Sequence, residues 1–435
     1  MLVLAASVLV IIALALLVVR PAIGIAFLLL VRPIVDMTWA KPLIATLNLP
    51  MLLGVLVPVI IISHALINTG RDRSIGKMPL ATPWLIFSTY VVFFSSIIAL
   101  VDGWLVGLDV CFRHLNGIVG FYMIQAWYRS EVDIRRLMLF IALAGAVPMV
   151  IGLYQIITGV QWIDAQVEGL ARYVGLYHDA FTVRLYMMQT LLASLVYIAM
   201  HPRVGATRFS LVFAYCCGAL VVVFKAYSKS AVLALCLWVV TWTIARRRFV
   251  ILGAGVLIAI LAGVYFSSEV TVEIARLFNK ELSAMAGKGD LRLTFQGRWF
   301  AWAQLIDSWY RLPLIAQIFG SGHKSLDAHN DYVQLLMHGG LIGLFLYIAL
   351  IAIIGMRVVR NLLKRQTVLN VAAAMAVIMW LLDSIGLVPS SYPPYQWFVW
   401  GMVGLALRVD SASSSSTDRF FVNFRPVTYF VHHRT

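Results

Sequence analysis

Apolar runs of membrane-crossing length recur along this chain from its second residue almost to its end, and they leave few folds open. A bilayer's hydrocarbon core takes about 20 mostly apolar residues of α-helix to cross. Within it each backbone N–H and C=O must find its partner inside the segment, so such runs fold as helices. Candidate spans fall at 2–19, 22–34, 50–67, 83–101, 106–127, 136–157, 184–200, 209–226, 230–245, 249–267, 331–356, 368–388 and 395–408. The chain of 435 residues is 62% hydrophobic and 12% charged. A soluble domain is about half apolar and about a quarter charged. The fold expected is an all-α polytopic membrane protein.

Short basic loops separate alternate spans: Arg71, Arg73 and Lys77; Arg129, Arg135 and Arg136; Arg203 and Arg208; Arg246, Arg247 and Arg248; Arg357, Arg360, Lys364 and Arg365. If the spans alternate, all five loops share one side, which the positive-inside rule makes the cytoplasm. The 22–34 stretch is short and bounded by Arg20-Pro21 and Arg32-Pro33, so it is expected as a re-entrant or interfacial piece. About twelve full spans then remain, with both ends inside. No cleavable signal peptide is expected, because the apolar run begins at Leu2 with no basic region before it. Cys111, Cys216, Cys217 and Cys236 lie in apolar segments without metal-ligand spacing, and read as buried thiols.

This divides the chain into an N-terminal bundle (1–267, including an outer loop 158–183), a large outer segment (268–330), three last helices (331–408) and a tail (409–435). The outer segment reads as helical at 270–286, with an amphipathic pattern, and at 297–310. The second helix carries Trp299, Phe300, Trp302, Trp309 and Tyr310, a density suited to a membrane interface or to stacking on sugar rings. The Ser-rich, then basic and aromatic tail is expected to be disordered and cytoplasmic, against anionic lipid.

The net charge of +15 matters less than its placement. Arg172, Arg184, Lys225, Lys229, Arg292 and Arg298 all fall on the outer face, against the topological bias. One cation there can snorkel to water or lipid phosphate. Several converging cations make a receptor for a phosphate or pyrophosphate at headgroup depth. His329 sits where the outer segment meets the 331–356 span, and histidine is suited to take a proton near neutral pH. The acidic residues are scattered, with no metal-ligand cluster. Neither a Walker-type phosphate loop nor a Gly-x-Ser-x-Gly elbow occurs, which disfavours a nucleotide-driven pump. No metal, cofactor or nucleic acid is expected.

His329-Asn330, nine residues, Gly340, two residues and Gly343 together resemble the His-(Asn/Ser/Gln)-x9-Gly-x-x-Gly signature of bacterial O-antigen ligases and their polymerase relatives. Gly297-Arg298-Trp299 with Trp302, Pro313 and Gly320-Ser321-Gly322 resembles the run that precedes that histidine in the family. Ala226-Tyr227-Ser228-Lys229-Ser230-Ala231 resembles its outer-turn Ser-Arg-Gly-Ala element, with lysine replacing arginine. Arg172-Tyr173-Val174-Gly175 is similar to an Arg-x-x-Gly element. The resemblance extends to the whole plan of spans and late outer segment.

The resemblance implies a GT-C-like, metal-independent, inverting glycosyltransferase of the bacterial inner membrane, with its site facing the periplasm. It would transfer a glycan from undecaprenyl pyrophosphate to a hydroxyl of the lipid A–core oligosaccharide. His329 would be the general base, and Arg298, Arg172, Arg184 and Lys229 would hold the pyrophosphate. At Lys229 the charge is kept and the bidentate fork lost. Asn330 and Asp331 would orient the helix top, Asp331 also suiting the helix dipole. His338, nine residues on, reads as a packed histidine more than a second base. Gly339, Gly340 and Gly343 would permit close helix packing under the site. The alternatives are an O-antigen polymerase of the same superfamily and a secondary transporter. For a transporter, the membrane charges Asp109, Arg113, His114 and Asp383 would be the relevant feature.

Overall fold

The structure is a computed structural model that describes residues 1–44, 47–70, 73–201, 205–246, 270–288, 290, 297–325 and 327–415. The expected span 249–267, Arg292 and the tail beyond 415 lie outside the described residues. The helices are α1 (Leu2–Val19), α2 (Pro21–Asp36), α3 (Leu49–Ile67), α4 (Ala81–Asp102), α5 (Trp104–Trp127), α6 (Glu131–Ala144), α7 (Ala146–Thr158), α8 (Ala180–Ala199), α9 (Ala206–Lys225) and α10 (Lys229–Arg246). Then come α11 (Val270–Leu277), α12 (Asn279–Met285), α13 (Arg298–Tyr310), α14 (Leu314–Phe319), α15 (Asp331–Lys364), α16 (Val368–Gly386) and α17 (Pro393–Ser415). The only strands among the described residues form two small antiparallel hairpins, β1–β2 (Pro42–Ile44 with Leu47–Asn48) and β3–β4 (Gln166–Val167 with Leu170–Ala171).

Among the described residues, eight helices are long and apolar enough to cross a membrane, counting α6 and α7 as one. Helix α1 shows how sequence becomes packing. Its buried positions, Ala6, Val10, Ala13 and Leu17, recur at helical spacing and form one narrow stripe. The other faces are equally apolar yet open, with Leu4 72% and Ile11 66% exposed, a surface suited to lipid. Pro21 then opens α2 at a position that needs no N–H donor.

Helix α2 contains the 22–34 stretch, and it is a helix that joins the two ends of the bundle. At one end the Tyr128 hydroxyl, in the basic α5–α6 turn, donates to the Ala22 carbonyl. At the other, the Tyr186 hydroxyl donates to Asp36, and the Tyr177 hydroxyl donates to the Pro33 carbonyl at 3.0 Å. Asp36 is ion-paired with Arg32 at 2.8 Å in the buried interior. This pairing explains how a short segment with charged residues runs through the bundle instead of lying at its surface. The last helix also differs from expectation: α17 continues past 408 to Ser415.

The core is built on α5 and α17. Gly120 lets them touch, since a Cβ there would strike the Gln396 and Trp397 backbone. Trp380, Trp397 and Trp400 fill the space around that contact and are almost fully buried. Helix α15 is two helices end to end. Gly340 breaks it with φ 63° and ψ −163°, a conformation that only glycine adopts readily. The break lets the α14 end approach, and Ser321 N–H donates to the Met337 carbonyl at 3.0 Å. The Tyr90 hydroxyl braces the same point by donating to the Gly339 carbonyl at 2.8 Å.

Candidate functional site

The end of the bundle that holds Asp36 also gathers residues of 158–183 and of the segment before α15. His329 precedes α15 in a left-handed conformation, φ 47°, which costs a non-glycine residue strain. Its own N–H donates to Asp327 Oδ1 at 3.1 Å. Its side chain is exposed. The next residue, Asn330, is the helix N-cap: its Oδ1 accepts the Tyr332 and Val333 N–H groups at 2.9 and 3.1 Å. Its Nδ2 donates to the Ile385 carbonyl at 3.0 Å, tying the histidine loop to the end of α16.

Asp331 is fully buried and acts as an anchor. Oδ1 accepts from Ser390 Oγ at 2.7 Å, and Oδ2 accepts from the Tyr347 hydroxyl at 3.1 Å and Ser384 Oγ at 3.4 Å. His338 is buried too. Its Nε2 lies 3.0 Å from Gln334 Nε2 and 3.3 Å from Ser325 Oγ, so it packs beneath the loop and reaches no open surface. On the other flank Lys324 Nζ meets Asp109 at 2.8 Å and His323 Nδ1 meets Asp102 at 2.8 Å. The loop that presents His329 is thus fastened on both sides.

Arg298 begins α13 and faces the same place. Trp302, one turn on, donates its Nε1–H to the Ala328 carbonyl at 2.8 Å. The Arg298 guanidinium passes beside Gly386, with Nη1 3.5 Å from the Cβ position of that glycine. Among the described residues it has no hydrogen bond or ion pair. Burial and the neighbouring charge of Arg184 hold its pKa below the usual guanidinium value, with Asp327 opposing.

Arg184, on the second turn of α8, is buried. Nη1 is 2.8 Å from Asp383 Oδ1 and donates to Ser228 Oγ at 3.0 Å and to Ser230 Oγ. Its Nε is buried with no hydrogen-bond partner among the described residues. Asp383 Oδ2 in turn accepts from the Tyr395 hydroxyl at 2.6 Å. Arg172 donates through Nε to the Ala226 carbonyl at 2.8 Å. Burial, Arg184 and Arg298 lower its pKa to about 10, Asp179 opposing, so it stays charged at neutral pH. The three arginines come from separate elements and act on one another electrostatically.

No family model matches this chain, and no curated protein matches it.

The remaining expected cation, Lys229, faces elsewhere and donates to Glu281 Oε2 at 2.6 Å. Sequence reading missed several groups that organise the cluster. Asp383 stands out in the sequence as a membrane carboxylate, but its role as the buried counter-charge of Arg184 does not. Asp179 caps α8 by accepting the Thr182 N–H at 2.7 Å. Burial raises its carboxyl, but bonds from His178 and the Tyr392 hydroxyl outweigh this and hold it well below the usual range. Ser228 and Ser230 stand out in the sequence only as members of the 226–231 stretch around Lys229. The membrane charges open to a transporter reading have partners. Arg113 Nε pairs with Asp109 at 3.0 Å, its Nη1 donates to Ser391 Oγ at 2.9 Å, and the His114 ring meets the His338 ring edge-on at 6.4 Å. Among the described residues no three His, Cys, Asp or Glu side chains are grouped to hold a metal ion.

This arrangement can do two things chemically. The guanidinium groups, with donors unfilled, can bind an anion with several oxygens. The exposed imidazole, on a stiffened loop joined to Arg298 through Trp302, can take a proton from a group placed beside that anion.

Proposed function

We propose that this chain is an O-antigen ligase: a glycosyltransferase of the bacterial inner membrane with about twelve spans and its site on the periplasmic face. The donor is an undecaprenyl pyrophosphate-linked glycan, and the acceptor is a hydroxyl of the lipid A–core oligosaccharide. The observation that carries this reading is the gathering of Arg298, Arg184 and Arg172 near the loop that presents His329.

The roles follow from the chemistry. A sugar hydroxyl is a weak nucleophile. As its oxygen attacks the anomeric carbon, its O–H bond breaks and the proton passes to His329. The bond from that carbon to the pyrophosphate oxygen breaks on the opposite face, so the anomeric centre inverts. The leaving pyrophosphate gains charge, and Arg298, Arg172 and Arg184 stabilise it through fixed donors, with no reorganisation at the moment of reaction. Asn330 and Asp331 act by holding the top of α15. Membrane lipids surround the bundle.

The test is transfer by the purified protein in liposomes supplied with lipid-linked glycan, with and without lipid A–core. Glycan appearing on lipid A–core supports the ligase. Lengthening of the lipid-linked glycan in place of that product would establish a polymerase. Solute uptake with no glycan product would establish a transporter.

A further inference from the structure

Three ion pairs fasten α11 and α12 to the bundle. Lys225 Nζ donates to both Glu273 oxygens at 2.9 and 3.0 Å. Lys229 Nζ donates to Glu281 Oε2 at 2.6 Å and lies 5.6 Å from the centre of the Phe278 ring. From the opposite direction, Lys280 Nζ reaches Glu168 Oε1 at 3.0 Å in the β3–β4 hairpin. Between these pairs Leu277 is buried against Val167, Leu170 and Tyr227. The two short helices thus form a strap held by charge at its edges and by apolar contact along its middle.

The α9–α10 turn under the strap has two faces. One serves the arginines: the Ala226 carbonyl accepts from Arg172, and Ser228 and Ser230 accept from Arg184. The other carries Lys225 and Lys229. Tyr227, at the centre of the turn, has φ 46°, a conformation that persists only where the surroundings enforce it. A phosphate ligand needs an ammonium whose charge is open, yet each of these lysines meets a carboxylate at contact distance.

We propose that Lys225 and Lys229 are positioning residues: they latch the strap to the α9–α10 turn and so fix the carbonyl and hydroxyls that aim Arg172 and Arg184 at the donor's pyrophosphate. This deepens the reading above and rests on it. It also accounts for lysine at 229. A latch needs one compact charge that reaches a single carboxylate, and the fork of arginine is not required.

The test uses the full chain in liposomes, with Lys229→Gln, Glu281→Gln and the swap Lys229→Glu with Glu281→Lys. Donor and acceptor KM, binding of inorganic pyrophosphate and thermal midpoint are measured for each. Glu281→Gln is the deciding variant, because a ligand role and a latch role predict opposite signs for it. The latch predicts that Glu281→Gln raises donor KM about tenfold, as Lys229→Gln does, with acceptor KM unchanged. It also predicts that the swap restores donor KM. If Glu281→Gln binds pyrophosphate as well as wild type or better, while Lys229→Gln binds it less well, Lys229 is a ligand and the proposal falls. A swap with a wild-type midpoint and unrestored donor KM overturns it as well. If wild type binds no pyrophosphate and Arg298→Ala changes nothing, the donor-site reading has failed and takes the latch with it.

Discussion

The indole N–H of Trp302 donates to the carbonyl of Ala328 over 2.8 Å, and that bond ties the helix bearing Arg298 to the loop bearing His329. The indole is 8% exposed, so its substitution acts inside a packed contact. Trp302→Phe keeps an aromatic ring, smaller than the indole, and removes the donor; the hydrogen bond alone accounts for about 1 kcal/mol. On the proposed roles, transfer should fall several-fold while the protein remains folded, because the His329 loop and the Arg298 helix lose their common register. Steady-state kinetics beside a thermal melt checks this.

Arg298 is expected to serve the donor alone. Arg298→Ala should raise donor KM about tenfold or more, the loss of one charge-assisted contact, and leave acceptor KM unchanged. Arg298→Lys should fall between, since the charge stays and the fork is lost. Equal damage to both substrates would remove Arg298 from the pyrophosphate site.

His329 should separate stability from function. His329→Gly relieves a left-handed residue and should stabilise the fold by about 1 kcal/mol. The same variant should lose about 10²–10⁴-fold in transfer rate. A melt in detergent and a transfer assay on one preparation read both effects, and near-normal transfer would end the base assignment.

Asp383 and Arg184 are a buried pair, each side chain 3% exposed. Asp383→Leu alone strands a guanidinium charge and should cost about 3–5 kcal/mol. Pairing it with Arg184→Met should recover most of that stability without recovering donor binding. Thermal midpoints of the two single variants and the double variant close the cycle.

Gly340 and Gly343 should respond differently to alanine. At Gly340 the backbone is left-handed and a Cβ would strike the Ile318 carbonyl and the Gly320 N–H, so Gly340→Ala should cost about 2 kcal/mol or more. At Gly343 the nearest atom is Tyr90 Cε1 at 3.2 Å, the end of a side chain that can give way. Gly343→Ala should be tolerated, as thermal melts of the two variants will show.

Much of this was legible from residue order. Hydropathy predicts helices, and among the described residues eight helices long and apolar enough to cross a membrane fall on predicted runs, because lipid and core make the same demand on backbone groups. Arg298 and His329 were found as parts of a spaced motif, and Trp302 shows why the spacing matters: it turns distance along the chain into a contact. Three things were hidden for physical reasons. The 22–34 stretch reads as short because Arg20-Pro21 and Arg32-Pro33 bound it, and sequence does not show that Arg32 is paired with Asp36 inside the bundle, so that the helix runs on to 36. Gly340 read as a packing glycine because sequence does not show that α14 comes up against it. The ion pair of Lys229 is hidden as well, because its partner, Glu281, lies 52 residues away.

The pairing of Arg184 with Asp383 also bears on how the chain is made. Asp383 leaves the ribosome 199 residues after Arg184, about 10–40 s later at ordinary elongation rates. Through that interval a nascent α8 carries a cation whose final counter-charge does not yet exist. Ser228 and Ser230 arrive sooner, 44 and 46 residues behind it, and supply the first stable hydroxyl contacts. The partners of Arg184 are thus completed in two stages of synthesis, the hydroxyls with the α9–α10 hairpin and the carboxylate only with α16.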